Sequence, residues 1–261
     1  MNFTTYIILT TLLAWPAMSQ QLASTGTLRA TFLGTNPVQG RVDPKTRAVS
    51  GPVEELTREL ARRLGVPFTI TPAAGLRDVI DSIKNHTADI GFLAFDATRA
   101  AEVDFSQPYS LGFNTYMVPT DSPIRTIQDA DRAGIRIGVR AGDAGELYLS
   151  RTLKFAEIKP VPGGTMEEAL RMLSSKQIDA FAANKQRLSE VATPALGVRI
   201  LEDNFLGVEQ SIIVAKNDTA SLTTINRLID DARASGLLRA AIERAKLVGV
   251  DVAPPVKVNS K

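Results

Sequence analysis

Residues 89–109 read DIGFLAFDATRAAEVDFSQPY. Ile90–Phe95 is a short apolar run between two aspartates, the pattern of a strand buried on both faces. Asp96 is a residue type that caps helices, and Arg99 falls in the first turn of the helix it would start. A buried strand passing at once into a helix points to an α/β fold with a largely parallel sheet.

The same alternation extends in both directions. Leu28–Leu33 reads as a strand, and Gly34 to Gly51 as a long loop rich in Gly, Pro and Asn. A helix follows, with Val53, Leu56, Leu60 and Leu64 on one face and Gly65 closing it. Phe68–Ile70 is the next strand, and Leu76–Lys84 the next helix, with Val79, Ile80 and Ile83 inward. Downstream a second unit repeats the order. It has a strand at Ile135–Val139, a helix at Glu146–Leu153 after a glycine turn, and a helix with Met166, Ala169, Leu170 and Leu173 on one face. Strands at Ile178–Ala182, Val198–Leu201 and Ser211–Val214 follow, then one or two helices over Leu222–Ala245. The tail after Val252 reads as loosely ordered. Extended stretches around Tyr116–Pro119 and Val208–Val214 look like crossings between the two units. A chain that leaves one lobe and returns makes it discontinuous: 25–118 plus 211–255 for lobe one, 119–210 for lobe two. Two crossings imply a hinge.

With 261 residues, 44% hydrophobic and 22% charged, the chain has the length for two lobes and the apolar content for a substantial core. A formal charge of +2, with Lys and Arg scattered among nearly as many acids, argues against a nucleic-acid or membrane-surface partner. The lack of cysteine removes disulfides, thiolate metal sites, thiol nucleophiles and lipid attachment through an N-terminal Cys. Residues 1–28 carry no charged side chain, and Tyr6 to Trp15 (YIILTTLLAW) has the length of a signal-peptide apolar region. Pro16 breaks the run, and Ala17 and Ser19 supply small residues at the cleavage-defining positions. A signal peptide over 1–19 and a soluble, monomeric periplasmic protein are expected; an uncleaved anchor is the alternative.

The stretch 89–109 resembles the bacterial extracellular solute-binding proteins, family 3, of the amino-acid ABC importers, in which a strand, a short loop, an Arg and then dFS.PY recur. Gly51 before an acidic helix ending Arg63-Leu64-Gly65, Gly138-Val139-Arg140-Ala141-Gly142, and Glu167 to Asp179-Ala180 match in the same order. The resemblance covers nearly the whole chain beyond the leader. It implies a two-lobed periplasmic-binding-protein fold (type II) with two hinge crossings. The implied function is capture of a small carboxylate-bearing, amino-acid-like solute for an ABC permease in the inner membrane, with no cofactor, no metal and no catalysis.

In that family the Arg before dFS.PY grips the ligand carboxylate, and here it is Arg99. A guanidinium offers a planar fork of donors matching two carboxylate oxygens; the alternative is a surface Arg paired with Glu102 or Asp104. The family adds backbone and hydroxyl donors just before the Arg, where this chain has Gly91, Phe92, Leu93 and Ala94. Backbone N–H groups of Ala94 and Phe95 are then the candidates, and Phe92 or Phe95 either walls the pocket or belongs to the core. In lobe two, the turn Gly142-Asp143 stands where the family has Gly-Thr or Gly-Ser, and Asp143 either meets a cationic part of the ligand or caps the following helix. Asn184 stands where an Asp pairs with the ligand's ammonium; either the ligand is a carboxylate with a neutral polar group, or its ammonium meets Asp143 or Glu209. Asn36 and Gln39, in the loop after the first strand, either bond the ligand or make the turn. Glu209 and Gln210 face the cleft or brace the hinge.

One histidine, His86, and no cysteine give little support to a metal site or a Ser-His triad, and His86 reads as a surface residue. Gly163-Gly164 reads as a loop. Two other functions remain open on the same fold. One is a dehydratase of the cyclohexadienyl type, with Glu209 or Asp143 as a cleft carboxylate acting on prephenate or arogenate. The other is a free ligand-binding adaptor for a sensor.

Overall fold

The structure, a computed structural model, describes residues 22–256; the signal peptide expected over 1–19 lies outside the described residues, as do residues 257–261. Strand β1 (Leu28–Leu33) is followed by a two-stranded hairpin, β2 (Arg41–Val42) and β3 (Val49–Ser50), inside the long loop. Helix α1 (Pro52–Leu64) buries Val53, Leu56, Leu60 and Leu64, and Gly65 ends it in the left-handed conformation at φ 69°. Glu54 and Glu55 in its first turn and Arg62 and Arg63 in its last complement the helix dipole. β4 (Phe68–Ala73), α2 (Leu76–Lys84) and β5 (Ile90–Ala94) follow. β1 lies between β4 and β5, parallel to both. Ile90 and Phe92 of β5 face α1 and its neighbours, while Leu93 faces Val79, Ile80 and Ile83 of α2, so helices cover both faces of the sheet.

After β6 (Val103–Phe105) comes the long strand β7 (Ser110–Pro119). The second half repeats the plan with α3 (Ile127–Ala130), β8 (Arg136–Val139), α4 (Ala144–Thr152), β9 (Glu157–Pro160), α5 (Met166–Ser174), β10 (Ala180–Asn184), α6 (Lys185–Ser189) and β11 (Val198–Ile200). β8 lies between β9 and β10, again parallel to both. Ala180 and Ala182 pack on one face of this sheet, Phe181 and Ala183 on the other. β12 (Leu206–Ala215), α7 (Thr219–Ala234), α8 (Leu237–Arg244) and β13 (Val250–Val252) complete the chain.

Two strands join the halves. β7 pairs antiparallel with β12 along Ser110–Asn114 against Leu206–Gln210, then turns to β10 and β11 from Asn114 onward. β12 passes from β7 to β5 at Gln210. A continuous path β4-β1-β5-β12-β7-β10-β8-β9 therefore runs through the molecule.

Two local expectations are corrected. Asp96 starts no α-helix: its Oδ1 accepts from the N–H groups of Thr98 (2.9 Å) and Arg99 (3.3 Å), but only a single 3-10 turn, Arg99–Ala101, follows before β6 begins. The chain beyond Val252 is not loose at once, since Ala253 is fully buried and its N–H donates to the Tyr109 carbonyl at 3.2 Å.

Candidate functional site

The carboxyl ends of β1, β5, β8 and β10 meet across a crevice, where strand ends of open α/β sheets leave side chains free of the ladder. A cavity of about 360 Å³ lies there, lined from both halves: Asn36, Gln39, Ala94 and Arg99 on one side, Arg140, Gly142, Asp143, Asn184 and Arg187 on the other. Asn114 and Gln210, at the points where the crossing strands change partners, form its floor. The crevice continues outward past Arg41 and Glu190, which form a 2.8 Å ion pair between the halves.

Arg99 is half-buried, and its Nη1 donates to the Ala94 carbonyl at 2.8 Å. It makes no ion pair within 4.0 Å among the described residues. Glu102 is taken by Arg77 (2.7 Å) and Lys84 (2.6 Å), and Asp104 by Lys216 (2.7 Å), so neither acid considered as its surface partner is available. Burial lowers the guanidinium's pKa from its usual value, opposed by Asp96 and Asp143. An arginine remains charged through such a shift.

Across the crevice, Asp143 occupies the N-cap position of α4 without making the cap bond. Its carboxylate lies 4.0 Å from Arg140 Nε. Desolvation raises its pKa, against the pull of Arg140, Arg187 and Arg99. Asn184 caps α6, its Oδ1 accepting from the Arg187 N–H at 3.4 Å. Arg187 Nη2 donates to the Gly164 carbonyl at 3.1 Å, and the Arg140 stem lies over the same glycine.

The loop after β1 is fixed by its own amides. Asn36 Oδ1 accepts from the Val38 N–H at 3.2 Å, and Gln210 Oε1 accepts from Gln39 Nε2 at 3.0 Å and Asn36 Nδ2 at 3.4 Å. Asn36 therefore makes the turn and lines the cavity together, and Gln210 ties this loop to the hinge.

Three candidates lie elsewhere. Phe92 is fully buried in the first half's core, edge-on to Tyr109 at 5.9 Å, because its place in β5 points it away from the strand end. Phe95 is 47% exposed, stacks edge-on against Phe105, and gives its N–H to the Glu209 carbonyl at 2.9 Å, which withdraws that donor from any ligand. Glu209 is exposed and does not line the cavity. His86 sits exposed in a left-handed turn at φ 54°. Arg140 and Arg187 are not among the candidates named from the sequence: Arg140 stands directly after a strand, inside the stretch 138–142 that carries the resemblance, and Arg187 three residues beyond a strand with no other signal.

The sequence matches the family model of the bacterial extracellular solute-binding proteins, family 3, over residues 29–245. No curated protein matches. Among solved structures, a mutant of ArgBP from T. maritima has a TM-score of 0.65 at 23% identity, over 88% of this chain and 99% of that one. An amino acid ABC transporter substrate-binding protein from Streptococcus pneumoniae, bound to L-arginine, has a TM-score of 0.68 at 18% identity, over 89% and 99%. The ancestral amino acid-binding protein AncCDT-1, described as a precursor of cyclohexadienyl dehydratase, has a TM-score of 0.67 at 21% identity, over 87% and 97%. At these identities the likeness is one of fold, the two-lobed type II periplasmic-binding-protein fold with its two hinge crossings. The chain belongs to the bacterial extracellular solute-binding proteins, family 3.

Proposed function

We propose that the protein captures a small carboxylate-bearing, amino-acid-like solute in the periplasm and delivers it to an ABC permease of the inner membrane. The observation that carries this reading is Arg99: a half-buried guanidinium, without a paired acid among the described residues, lining a cavity walled by both halves. A charge-assisted contact from it to a carboxylate is worth roughly 1.5–3 kcal/mol net. Asn36, Gln39 and Asn184 supply amide groups for the remainder of the ligand, and backbone at Ala94 and Gly142 completes the wall.

The lobes are taken as 25–118 with 211–255, and 119–210. The partner changes of β7 at Asn114 and β12 at Gln210 support this division. Tyr116 and Val118 pack in the second half's core, which favours placing the first crossing at the Asn114 end. Rotation about these crossings closes the crevice on the ligand, and the permease reads the closed form. Export rests on the leader at 1–19, and the protein works as a monomer.

A thermal-shift screen of amino acids, their amides and simple organic acids tests the reading. A ligand at about 100 times its Kd stabilises by about 2.7 kcal/mol, or roughly 5–10 °C in Tm for a chain of this size. A panel in which no carboxylate raises Tm would refute capture of such a solute.

One observation favours a second reading. Asp143 lines the cavity with its pKa raised by desolvation, the condition of a general acid or base. A dehydratase acting through Asp143 would turn over prephenate or arogenate, and Asp143→Asn would abolish that turnover. Binding without turnover leaves solute capture as the function.

A further inference from the structure

The charges on the cavity wall do not balance. Arg99 from one half, and Arg140 and Arg187 from the other, face a single carboxylate, Asp143, which leaves a net charge of +2. Many arginines outside the cavity meet acids closely, among them Arg29 with Asp89 at 2.6 Å, Arg136 with Asp179 at 2.8 Å, and Arg41 with Glu190 at 2.8 Å, while Arg199 gives its donors to backbone carbonyls instead. Those lining the cavity do not meet acids closely. Arg99 and Arg187 each give one donor to a backbone carbonyl, and Arg140 stands 4.0 Å from Asp143. All three guanidiniums act on Asp143, and Arg99 also feels Asp96 from outside the cavity lining, so Arg140 and Arg187 are the least compensated. Guanidiniums gathered in a partly dry crevice repel one another and keep donors unused, and a ligand bringing negative charge relieves both.

Gly164 makes the second-half cluster a built feature. Its φ of +60° suits glycine, a Cβ there would lie 2.4 Å from Arg140 Cγ, and its carbonyl accepts from Arg187. One glycine thus seats both arginine chains.

A zwitterionic α-amino acid fits this wall poorly. Its carboxylate meets Arg99, but its ammonium is left facing Arg140 and Arg187. Asp143 is already shared, and Asn184 Oδ1 already accepts from the Arg187 N–H. We infer that the ligand is a small organic molecule with two anionic groups, a carboxylate at Arg99 and a second group, carboxylate or phosphate, at Arg140 and Arg187; it is called a dianion for its two groups, although a phosphate adds up to two charges by itself. This rests on the carboxylate-capture reading and narrows it. The cavity of about 360 Å³ lies at the small end of ligand-sized pockets, which suits a small solute.

Isothermal titration of the exported chain tests it with four probe sets. These are short straight-chain dicarboxylates, monocarboxylates of the same lengths, α-amino acids, and the phosphorylated carboxylates phosphoglycolate and 3-phosphoglycerate. Expected is a dianion binding at least about tenfold tighter than the monoanion of its length. The better of the dicarboxylate and phosphate sets identifies the second group. In the Arg140→Gln/Arg187→Gln double variant the best dianion should weaken by roughly ten- to a hundredfold while monoanions stay within about twofold. An α-amino acid binding tighter than every dianion overturns the inference, and this comparison needs no variant to fold. So does a double variant that melts normally and keeps its dianion affinity. If α-amino acids bind and Arg99→Ala removes that binding, dianion selectivity falls while carboxylate capture stands. If no anion binds, or Arg99→Ala changes no Kd, both fall.

Discussion

The two halves of the molecule share a scaffold and differ at the crevice. In each, an arginine opening the central strand is held by the aspartate that precedes the next parallel strand. Asp89 accepts from the Arg29 N–H (2.8 Å), Nε (3.1 Å) and Nη2 (2.6 Å), and Asp179 from the same three groups of Arg136 at 2.8, 2.9 and 2.8 Å. Each aspartate returns its N–H to that arginine's carbonyl at 2.8 Å. Three residues before each aspartate the chain turns through a left-handed residue, His86 at φ 54° and Lys176 at φ 56°. At the strand ends the likeness stops: the first half offers one guanidinium among amides, the second two guanidiniums around one carboxylate. What repeats is what folds the chain, and what diverges is what a ligand would meet.

The staples themselves are not equivalent. Asp89 and Arg29 are 10% and 26% exposed, Asp179 and Arg136 29% and 34%. Asp89→Ala should therefore cost about 2–4 kcal/mol, as it strands a more buried guanidinium, and Asp179→Ala about 1–2 kcal/mol. Urea unfolding measures both, and equal losses would break the ranking. Gly164→Ala sharpens the contrast at the crevice. It should cost about 1–2 kcal/mol in strain and displace Arg140, weakening a dianion by roughly tenfold while sparing monoanions. Equal weakening of both ligand classes would detach Gly164 from the second anionic group. The smallest effect lies at the paired turns, where His86→Gly and Lys176→Gly should each raise Tm by about 1–3 °C by relieving positive φ. A rise at one and a fall at the other would show that the turns only look alike.

Much of this was legible in the sequence, for reasons that differ by element. The apolar spacing of Val53, Leu56, Leu60 and Leu64 and the glycine after them give α1 its end, and Leu76–Lys84 has its observed bounds. Asn36 and Gln39 were legible from their place after a strand, a topological property that survives small errors in bounds, whereas Arg99, Asp143 and Asn184 came from the resemblance to the family. Phe92 and Phe95 were not separable from wall residues, because a strand apolar on both faces carries no alternation to show which side chain points where. Asp96 carries the side-chain bonds of a cap, yet Val103 starts a strand too soon for more than one turn. Arg187 looked like any basic residue on a short helix. Only the approach of its side chain to the Gly164 carbonyl, beside the Arg140 stem, makes it part of a cluster.

The most direct test of the central claim is the calorimetric Kd of the tightest-binding anion for the native chain and for Arg99→Ala. Expected is a loss of roughly tenfold to a few hundredfold, with the unliganded variant melting close to the native chain. An unchanged Kd would contradict it, and the anchor would have to be sought elsewhere on the crevice wall.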